Sequence, residues 1–277
     1  MNMFEQDELK IYRGSDIKIT PQITVMQPTI GQIEEFGEKR YFNAVHTLCA
    51  VGADLKWQLW DYYNIDYTKI DDYDLFIQYI WTAVSSRKRI YTELMNNPEK
   101  YKNELASISD EMLNEMLTNP LELVLKDIDL GDFTLYKNEA TDQIVLYDVD
   151  RDITIDKVVY TQIVDVVRKI HGFKRNNEKP KNKTTKMILI EDARMDAMKI
   201  ANKPYKSILK PLISALTVKC GMCGDDRIWN MPINAFFDNL KRANKIQDAE
   251  LLLQGAYSGF ASLKNVDRSR LEWTGDI

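Results

Sequence analysis

The chain has 277 residues, of which 44% are hydrophobic and 29% are charged, and this composition is typical of a folded protein with a buried core. The net charge of -5 and an isoelectric point of about 5.3 argue against a general nucleic-acid-binding protein, which would usually be basic. No run approaches the roughly 18 apolar residues of a membrane span, and the acidic N-terminus lacks the apolar core of a secretion signal. Three cysteines fit a reducing compartment, so we expect a cytoplasmic protein.

Residues 9–27 are predicted to form two or three short strands. The apolar residues alternate before Pro28 and then step by three or four, which indicates a change from strand to helix. Thr29 and Gln32 fit a capping box, in which the Thr hydroxyl accepts an N–H of the first turn and the Gln side chain reaches back. The helix that follows is expected to carry one apolar face, formed by Ile30, Ile33, Phe36, Tyr41, Val45 and Leu48.

The next part of the chain is predicted to be helical up to about residue 118. One helix is expected to place four side chains at helical spacing: Leu55, Leu59, Tyr62 and Tyr63. Another is expected to begin at Asp71 or Asp72 as the N-cap, with a broad apolar face formed by Leu75, Phe76, Tyr79, Ile80 and Val84. Residues 98–118 are polar with sparse apolar positions, which favours short helices.

From Asp132 the pattern predicts strand, turn and strand, with the turn at Asn138–Asp142 and a further short strand before Asp156. A helix is expected to start near Asp156 and to end at Gly172. Residues 174–186 are polar and basic and are predicted to be a flexible connection. Three helices are expected to follow: Lys186 to Ala201, Tyr205 to Val218, and Pro232 to about Tyr257.

The sequence therefore predicts an α+β fold that is mostly helical, with small antiparallel β elements near the N-terminus and around 132–155. Three regions are expected. Residues 1–130 form a small sheet with helices, residues 131–173 form a β-hairpin and a helix, and residues 187–277 form a helical region with an extended C-terminal segment.

The strongest chemical motif is the C-x-x-C of Cys220 and Cys223, which could bind zinc or exchange a disulfide. Zinc would need two further ligands, and only Cys49, His46 and His171 remain, without the spacing of a zinc finger. The preceding sequence resembles the end of a helix, whereas a redox pair normally begins one. A glycine-rich loop with incidental cysteines is the favoured interpretation.

The other polar motifs also have structural interpretations. His46 lies near the apolar face of a helix, and His171 lies at a helix end, where it can meet the last carbonyls. Two acidic strings, Asp71, Asp72 and Asp74 and then Asp148, Asp150 and Asp152, are interpreted as a helix cap and as a charged strand end. The basic segment 174–186 lacks the interleaved aromatic residues of a nucleic-acid site. With no phosphate-binding or nucleophile motif present, we expect no catalytic residue, metal or cofactor.

Large apolar residues stand out near the C-terminus, in sequence that is otherwise polar. Such side chains either pack on their own fold or bind a partner. The candidates for protein interaction are Trp229, Phe236, Phe237, Phe260, Leu271 and Trp273.

Two stretches carry a resemblance to a known family. The first is "ITVMQPTIGQIEEFGEKRYFNAVHTLCA" with "DLKWQLWDYYNIDYTKIDDYDLF", within residues 23–76. The second is "INAFFDNLKRANKIQDAELLLQGAYSGF" with "LEWTGDI", within residues 233–277. Both are similar to a poorly characterised protein family of tailed phages and prophages of Gram-positive bacteria, encoded among structural and assembly genes.

The resemblance implies a non-enzymatic structural or assembly protein of the phage tail or baseplate region. Its expected partners are phage tail or other virion proteins and further copies of itself, with no membrane. It would act in the host cytoplasm during assembly and then either stay in the virion or, as a tail-assembly chaperone, leave before maturation. The alternatives are a zinc- or thiol-dependent enzyme built on Cys220, Cys223 and His46, and nucleic-acid binding through residues 174–186.

Overall fold

Helices surround two small antiparallel sheets in the computed structural model, which describes residues 8–138, 143–201, 203–222, 224–260 and 262–275. In the N-terminal part the elements are α1 (Glu8–Arg13), β1 (Ile17–Lys18), β2 (Thr24–Val25), α2 (Ile30–Phe36), α3 (Glu38–Leu48) and α4 (Lys56–Tyr63). A continuous helical stretch follows, formed by α5 (Asp72–Leu75), a π-helical turn (Phe76–Trp81) and α6 (Thr82–Asn96). Two short helices, α7 (Lys102–Ser107) and α8 (Asp110–Leu117), complete this part.

The second sheet contains β3 (Thr134–Asn138), β4 (Gln143–Asp148) and β5 (Ile153–Ile155), paired in that order. The remaining helices are α9 (Lys157–His171), α10 (Lys183–Ala201), α11 (Leu209–Lys219) and α12 (Ile233–Tyr257), with short 3₁₀ turns at Asp226–Ile228, Leu263–Asn265 and Arg268–Arg270. These elements confirm a mostly helical α+β fold with small β elements at the predicted places. The predicted turn of the hairpin falls on residues 139–142, which lie outside the described residues.

The N-terminal segment differs from its prediction because Glu8–Arg13 is a helix and not a strand. Only Ile11 of this helix is buried, so alternation over a few residues could not distinguish strand from helix. The helix ends at Gly14, whose φ of 80° lets the Ser15 N–H return to the Lys10 carbonyl oxygen at 2.9 Å. It lies against α12, where the Tyr12 hydroxyl donates to Asn239.

The capping box at Thr29 is present as predicted. The Thr29 hydroxyl accepts from the Gln32 N–H, and the Gln32 side chain accepts from the Thr29 N–H. The expected single helix is divided, because Gly37 adopts a φ of 100° between α2 and α3. The predicted apolar face is still continuous, since most of its side chains are buried on both sides of that break.

Two further helix boundaries have clear causes. Asp71 is the N-cap of α5, as one of the two predicted alternatives, and its carboxylate accepts from the Tyr73 N–H. The π-turn that follows widens the buried face of the helix to include Ile77 and Trp81. Helix α11 begins at Leu209, four residues later than predicted, because the Glu38 carboxylate caps the N–H groups of Ile208 and Leu209 at 2.6 and 2.7 Å.

The main hydrophobic core joins all three predicted regions. It includes Val45 from residues 1–130, Leu146 and Ile163 from residues 131–173, and Phe236 from residues 187–277. A second cluster forms around α4, where Leu59, Leu75 and Ile190 are buried together. No helix of the described residues is long and apolar enough to cross a membrane.

Backbone hydrogen bonds join the segment that precedes α2 to the segment that precedes α12. Ile30 and Gly31 donate to the carbonyl oxygens of Met231 and Trp229 at 3.0 and 2.8 Å, and Ile233 donates to Pro28 at 3.0 Å. The N–H groups at a helix start have no partner within the helix. The segment that precedes each of these two helices therefore caps the N-terminus of the other helix.

We expect Gly14→Ala to destabilise the protein strongly. An added Cβ would lie 2.4 Å from Cγ of Pro232, at the start of α12, in addition to the strain of a positive φ. Gly221→Ala is the matched control, because Gly221 has a φ of 64° and open space around it. Chemical denaturation should show that Gly14→Ala lowers the free energy of unfolding by about 1–3 kcal/mol more than Gly221→Ala does. Equal losses would contradict the close contact.

Candidate functional site

Helix α12 has a buried and an exposed half. Ile233, Ala235 and Phe236 lie in or beside the core, where the helix contacts α1, α9 and α11. In residues 245–257, which we call the distal half, Ala249 is the buried residue. The first half therefore anchors the helix in the fold, and the distal half lies largely at the protein surface.

The chain turns back after α12 and runs along it in the opposite direction. Gly259 has a φ of 77°, and the Phe260 N–H bonds to the Gly255 carbonyl oxygen at 3.0 Å. Residues 262–275, which we call the returning segment, then lie beside α12. Its 3₁₀ turn at Arg268–Arg270 contacts the helix.

Two arginines hold the returning segment in place. The Arg270 guanidinium donates to both carboxylate oxygens of Asp248, at 3.0 and 2.8 Å. Arg242 of α12 donates to the carbonyl oxygens of Trp273 and Gly275 at 2.5 and 2.7 Å. The segment was predicted to be extended. It is instead turned, because Asp267 caps its 3₁₀ turn by accepting from the Ser269 N–H.

Large aromatic side chains project from this end of the molecule. Tyr257 is 88% exposed and Phe260 is 93% exposed, on either side of the reversal, and Trp273 is 53% exposed. Aromatic residues that remain uncovered on a folded chain are typical of protein-interaction surfaces. We call Tyr257, Phe260, Trp273 and the returning segment the C-terminal surface.

The structure places the six predicted interaction residues in two groups. Phe260, Leu271 and Trp273 belong to the C-terminal surface, where Leu271 is partly buried. Trp229, Phe236 and Phe237 lie at the other end of α12. Phe236 is fully buried and Phe237 packs against the core, so these two rings serve the fold of the chain itself. Trp229 is partly exposed, and its backbone oxygen caps α2.

A second aromatic group lies on α4 and was missed as a candidate. Tyr63 contacts Tyr62 and Tyr79 with ring centroids 6.4 and 4.5 Å apart, and Trp57 contacts Tyr62 at 5.5 Å. Tyr62 and Tyr63 are exposed, although helical spacing had placed them on the same face as the buried Leu59. The sequence "WQLWDYY" contains four aromatic residues within seven positions. One buried helix face cannot hold them all, and this is the signal in the sequence that some of them are exposed.

His171 lies in a buried hydrogen-bonded pair with Tyr41. The Tyr41 hydroxyl and His171 Nε2 are 2.7 Å apart, and His171 Nδ1 is 2.7 Å from the Val167 carbonyl oxygen. The carbonyl oxygen can only accept, so Nδ1 donates to it, and in the neutral ring Nε2 then accepts from the tyrosine hydroxyl. Burial lowers the pKa of His171 to about 4 and raises that of Tyr41. The histidine meets a carbonyl of its helix, as the sequence predicted, but as a neutral and not a charged group.

His46 and two of the cysteines, Cys49 and Cys220, have separate surroundings. His46 stacks on Phe173 with ring centroids 4.5 Å apart, and burial lowers its pKa. Cys49 is buried, which raises the pKa of its thiol to about 12 and makes it a poor nucleophile. Cys220 is exposed, and Cys223 lies outside the described residues, so the predicted pair stays untested. Among the described residues no group of three or more potential metal ligands is found.

The acidic strings are used as caps and ion pairs. Asp71 caps α5 and pairs with Lys157, while Asp72 pairs with Arg175. Asp148 is buried and accepts the backbone N–H groups of Asp150 and Arg151, so it caps the turn between β4 and β5. Asp152 accepts from the Tyr147 hydroxyl at 2.9 Å.

The basic segment 174–186 makes specific contacts before α10 begins. Arg175 forms a two-pronged pair with Asp72, and Asn176 donates to Asp54 at 2.8 Å. Glu178 accepts from the buried Lys56 at 2.6 Å. The segment was predicted to be a flexible connection, yet these contacts anchor it to the helical middle of the chain.

No protein-family model, curated protein or solved structure matches this chain.

We expect the free energy of unfolding to fall as the pH falls from about 6.5 to 4. In this window the unfolded chain binds a proton at His171 that the folded chain excludes, because its folded pKa is about 4. The free energy of unfolding should fall by about 3 kcal/mol in total, because each unit of difference between the folded and unfolded pKa contributes about 1.4 kcal/mol. His171→Gln should remove most of this slope in denaturant titrations at several pH values, and His46→Gln should keep most of it. An unchanged slope in His171→Gln would contradict the buried neutral histidine.

We expect Glu178→Gln to be far more destabilising than Arg175→Gln. The first change removes the negative charge that faces Lys56, whose side chain is 11% exposed, and leaves this nearly buried cation without a counter-charge, at a cost of about 3 kcal/mol. The second removes an exposed pair worth less than about 1 kcal/mol. Chemical denaturation of both variants measures the difference. Two small and equal losses would show that the connection is not anchored.

Proposed function

We propose that this chain is a non-enzymatic structural or assembly protein of a tailed phage, which acts through protein–protein contacts in the tail or baseplate region. The observation that carries the interaction role is the C-terminal surface, where Tyr257 and Phe260 are almost fully exposed. Exposing two such rings to water is unfavourable unless a partner covers them. The assignment to tail or baseplate assembly is supported by the resemblance of residues 23–76 and 233–277.

The polar groups support the same proposal. The buried histidine, tyrosine and cysteine bond to backbone groups or pack in the core, and their pKa values are shifted by burial away from neutral pH. A general acid or base works best with a pKa near the operating pH and within reach of a substrate. His171, Tyr41 and Cys49 are therefore arranged as structural supports and not as acid–base or nucleophilic groups.

The proposed partners are phage tail or other virion proteins and further copies of this chain, and the proposed place of action is the host cytoplasm during assembly. Two forms of the proposal differ in their outcome. A virion component stays in the purified particle, whereas a tail-assembly chaperone is found in the lysate with its client and is absent from particles.

The experiment is complementation of a phage that lacks the gene, followed by mass spectrometry of purified particles and of assembly intermediates. We expect the double variant Tyr257→Ser/Phe260→Ser to fold normally, because exposed substitutions usually change stability by about 0.5 kcal/mol or less. Its incorporation or its binding to intermediates should fall about tenfold, which corresponds to a loss of about 1.4 kcal/mol of contact energy.

Val149→Ser is the control, since it removes an exposed apolar side chain from the turn after β4. Normal assembly with the double variant would refute the role of the C-terminal surface. Normal infectivity of a phage without the gene would refute the assembly function itself.

A further inference from the structure

The returning segment is attached to α12 by contacts that are weak individually. The side chains of Arg270 and Asp248 are 51% and 46% exposed, and an ion pair in that environment contributes little. Leu263, Val266 and Leu271 are only partly buried, so the segment adds little to the core. It can therefore leave its site while the rest of the fold stays intact.

The reversal that connects the two is suited to opening. Gly259 has a positive φ, and an added Cβ at this position would meet no atom of the described residues within 4 Å, so this glycine is not enclosed. If the helix continued through the turn, Leu253, Tyr257 and Phe260 would lie on one stripe, at spacings of four and three residues. Opening therefore needs a change at a few backbone torsions and brings the exposed aromatic residues onto one helix face.

We propose that the returning segment exchanges between copies of this chain, so that the segment of one copy binds α12 of a second copy. The Arg270–Asp248 pair and the bonds from Arg242 to the backbone are then formed between copies with the same partners as within one copy. The additional contact is at the opened turn, where Tyr257 and Phe260 of the two copies meet. Exchange of an identical element is a low-cost route to association, because every closed contact is regained.

Exchange depends on concentration because the attached segment competes as an internal ligand. A short connection gives its own segment a high effective concentration, which keeps the dilute protein closed. Copies held side by side on an assembling particle reach a comparable local concentration. The segment would then link neighbouring copies during assembly and leave the free protein monomeric.

This inference rests on the proposed function, because it takes a second copy of the chain as the partner that covers the C-terminal surface. Its test is a pair of charge-reversal chains, Asp248→Arg and Arg270→Asp. Each chain alone places like charges at the contact, whether the segment binds its own helix or that of an identical copy. In an equimolar mixture, the unchanged Arg270 of one chain meets the unchanged Asp248 of the other, and the reversed residues also pair.

We expect each chain alone to be monomeric and folded by circular dichroism, and the mixture to form a mixed dimer in sedimentation and native mass spectrometry. The mixed species should exceed either homodimer about tenfold, since like charges disfavour the homodimers. The double variant Asp248→Arg/Arg270→Asp restores opposite charges within one chain and should behave as the original chain does. The pair Asp196→Lys and Lys199→Glu, which reverses an exposed ion pair on α10, should not associate on mixing.

A mixture that stays monomeric, or associates no better than its components, would overturn the exchange. That result would leave the proposed function standing, because virion incorporation through another partner is measured separately. Mixed-dimer formation, together with normal infectivity of a phage that lacks the gene, would instead show that exchange exists without the proposed role.

Discussion

The two helix starts that cap each other are the interaction on which the rest of the structure depends. The N–H groups of Ile30 and Gly31 bond to carbonyl oxygens just before α12, and the N–H of Ile233 bonds to the carbonyl oxygen of Pro28. Unpaired N–H groups at a buried helix start are costly, so each helix is stabilised by the correct position of the other. Gly14 packs against Pro232 at the same junction. Segments about 200 residues apart in sequence are thereby held in one register.

This junction decides which part of α12 is core and which is surface. Since the start of the helix is fixed among α1, α9 and α11, Phe236 is buried, and the following turns leave the body of the fold. The returning segment then lies beside the distal half, where Arg270 pairs with Asp248, and Arg242 of the preceding turn bonds to the same segment. The exposed aromatic residues at the reversal are a consequence of this geometry.

Local signals predicted much of the fold. The capping box at Thr29, the N-cap at Asp71 or Asp72, the helix start near Asp156 and the end of α9 at Gly172 were predicted from neighbouring residues only, and the structure contains them, with Asp71 as the cap. The errors have non-local causes. The start of α11 is set by a carboxylate 170 residues earlier in the chain, and α1 is helical because one face of it packs on α12. The sequence of the connection after α9 predicts flexibility, because the residue that anchors it, Lys56, lies far away in the sequence.

The candidate site was predictable in part. The apolar excess near the C-terminus identified Phe260, Leu271 and Trp273, but composition cannot separate a core ring such as Phe236 from an exposed one. The returning segment was expected to be extended, which would place Leu271 and Trp273 on one side. The ion pair between Arg270 and Asp248 joins the segment to α12 only in the folded chain, and single exposed charges give no sequence signal.

The central claim is that the C-terminal surface is covered by another protein subunit during assembly. Cross-linking mass spectrometry of purified tails and assembly intermediates tests it most directly, because Lys264 lies in the returning segment and reacts with amine-specific reagents. We expect cross-links from Lys264 to a second protein chain, either another virion protein or, in particles assembled from isotopically mixed protein, another copy. Cross-links from Lys264 confined to its own chain, in particles that contain the protein, would contradict it.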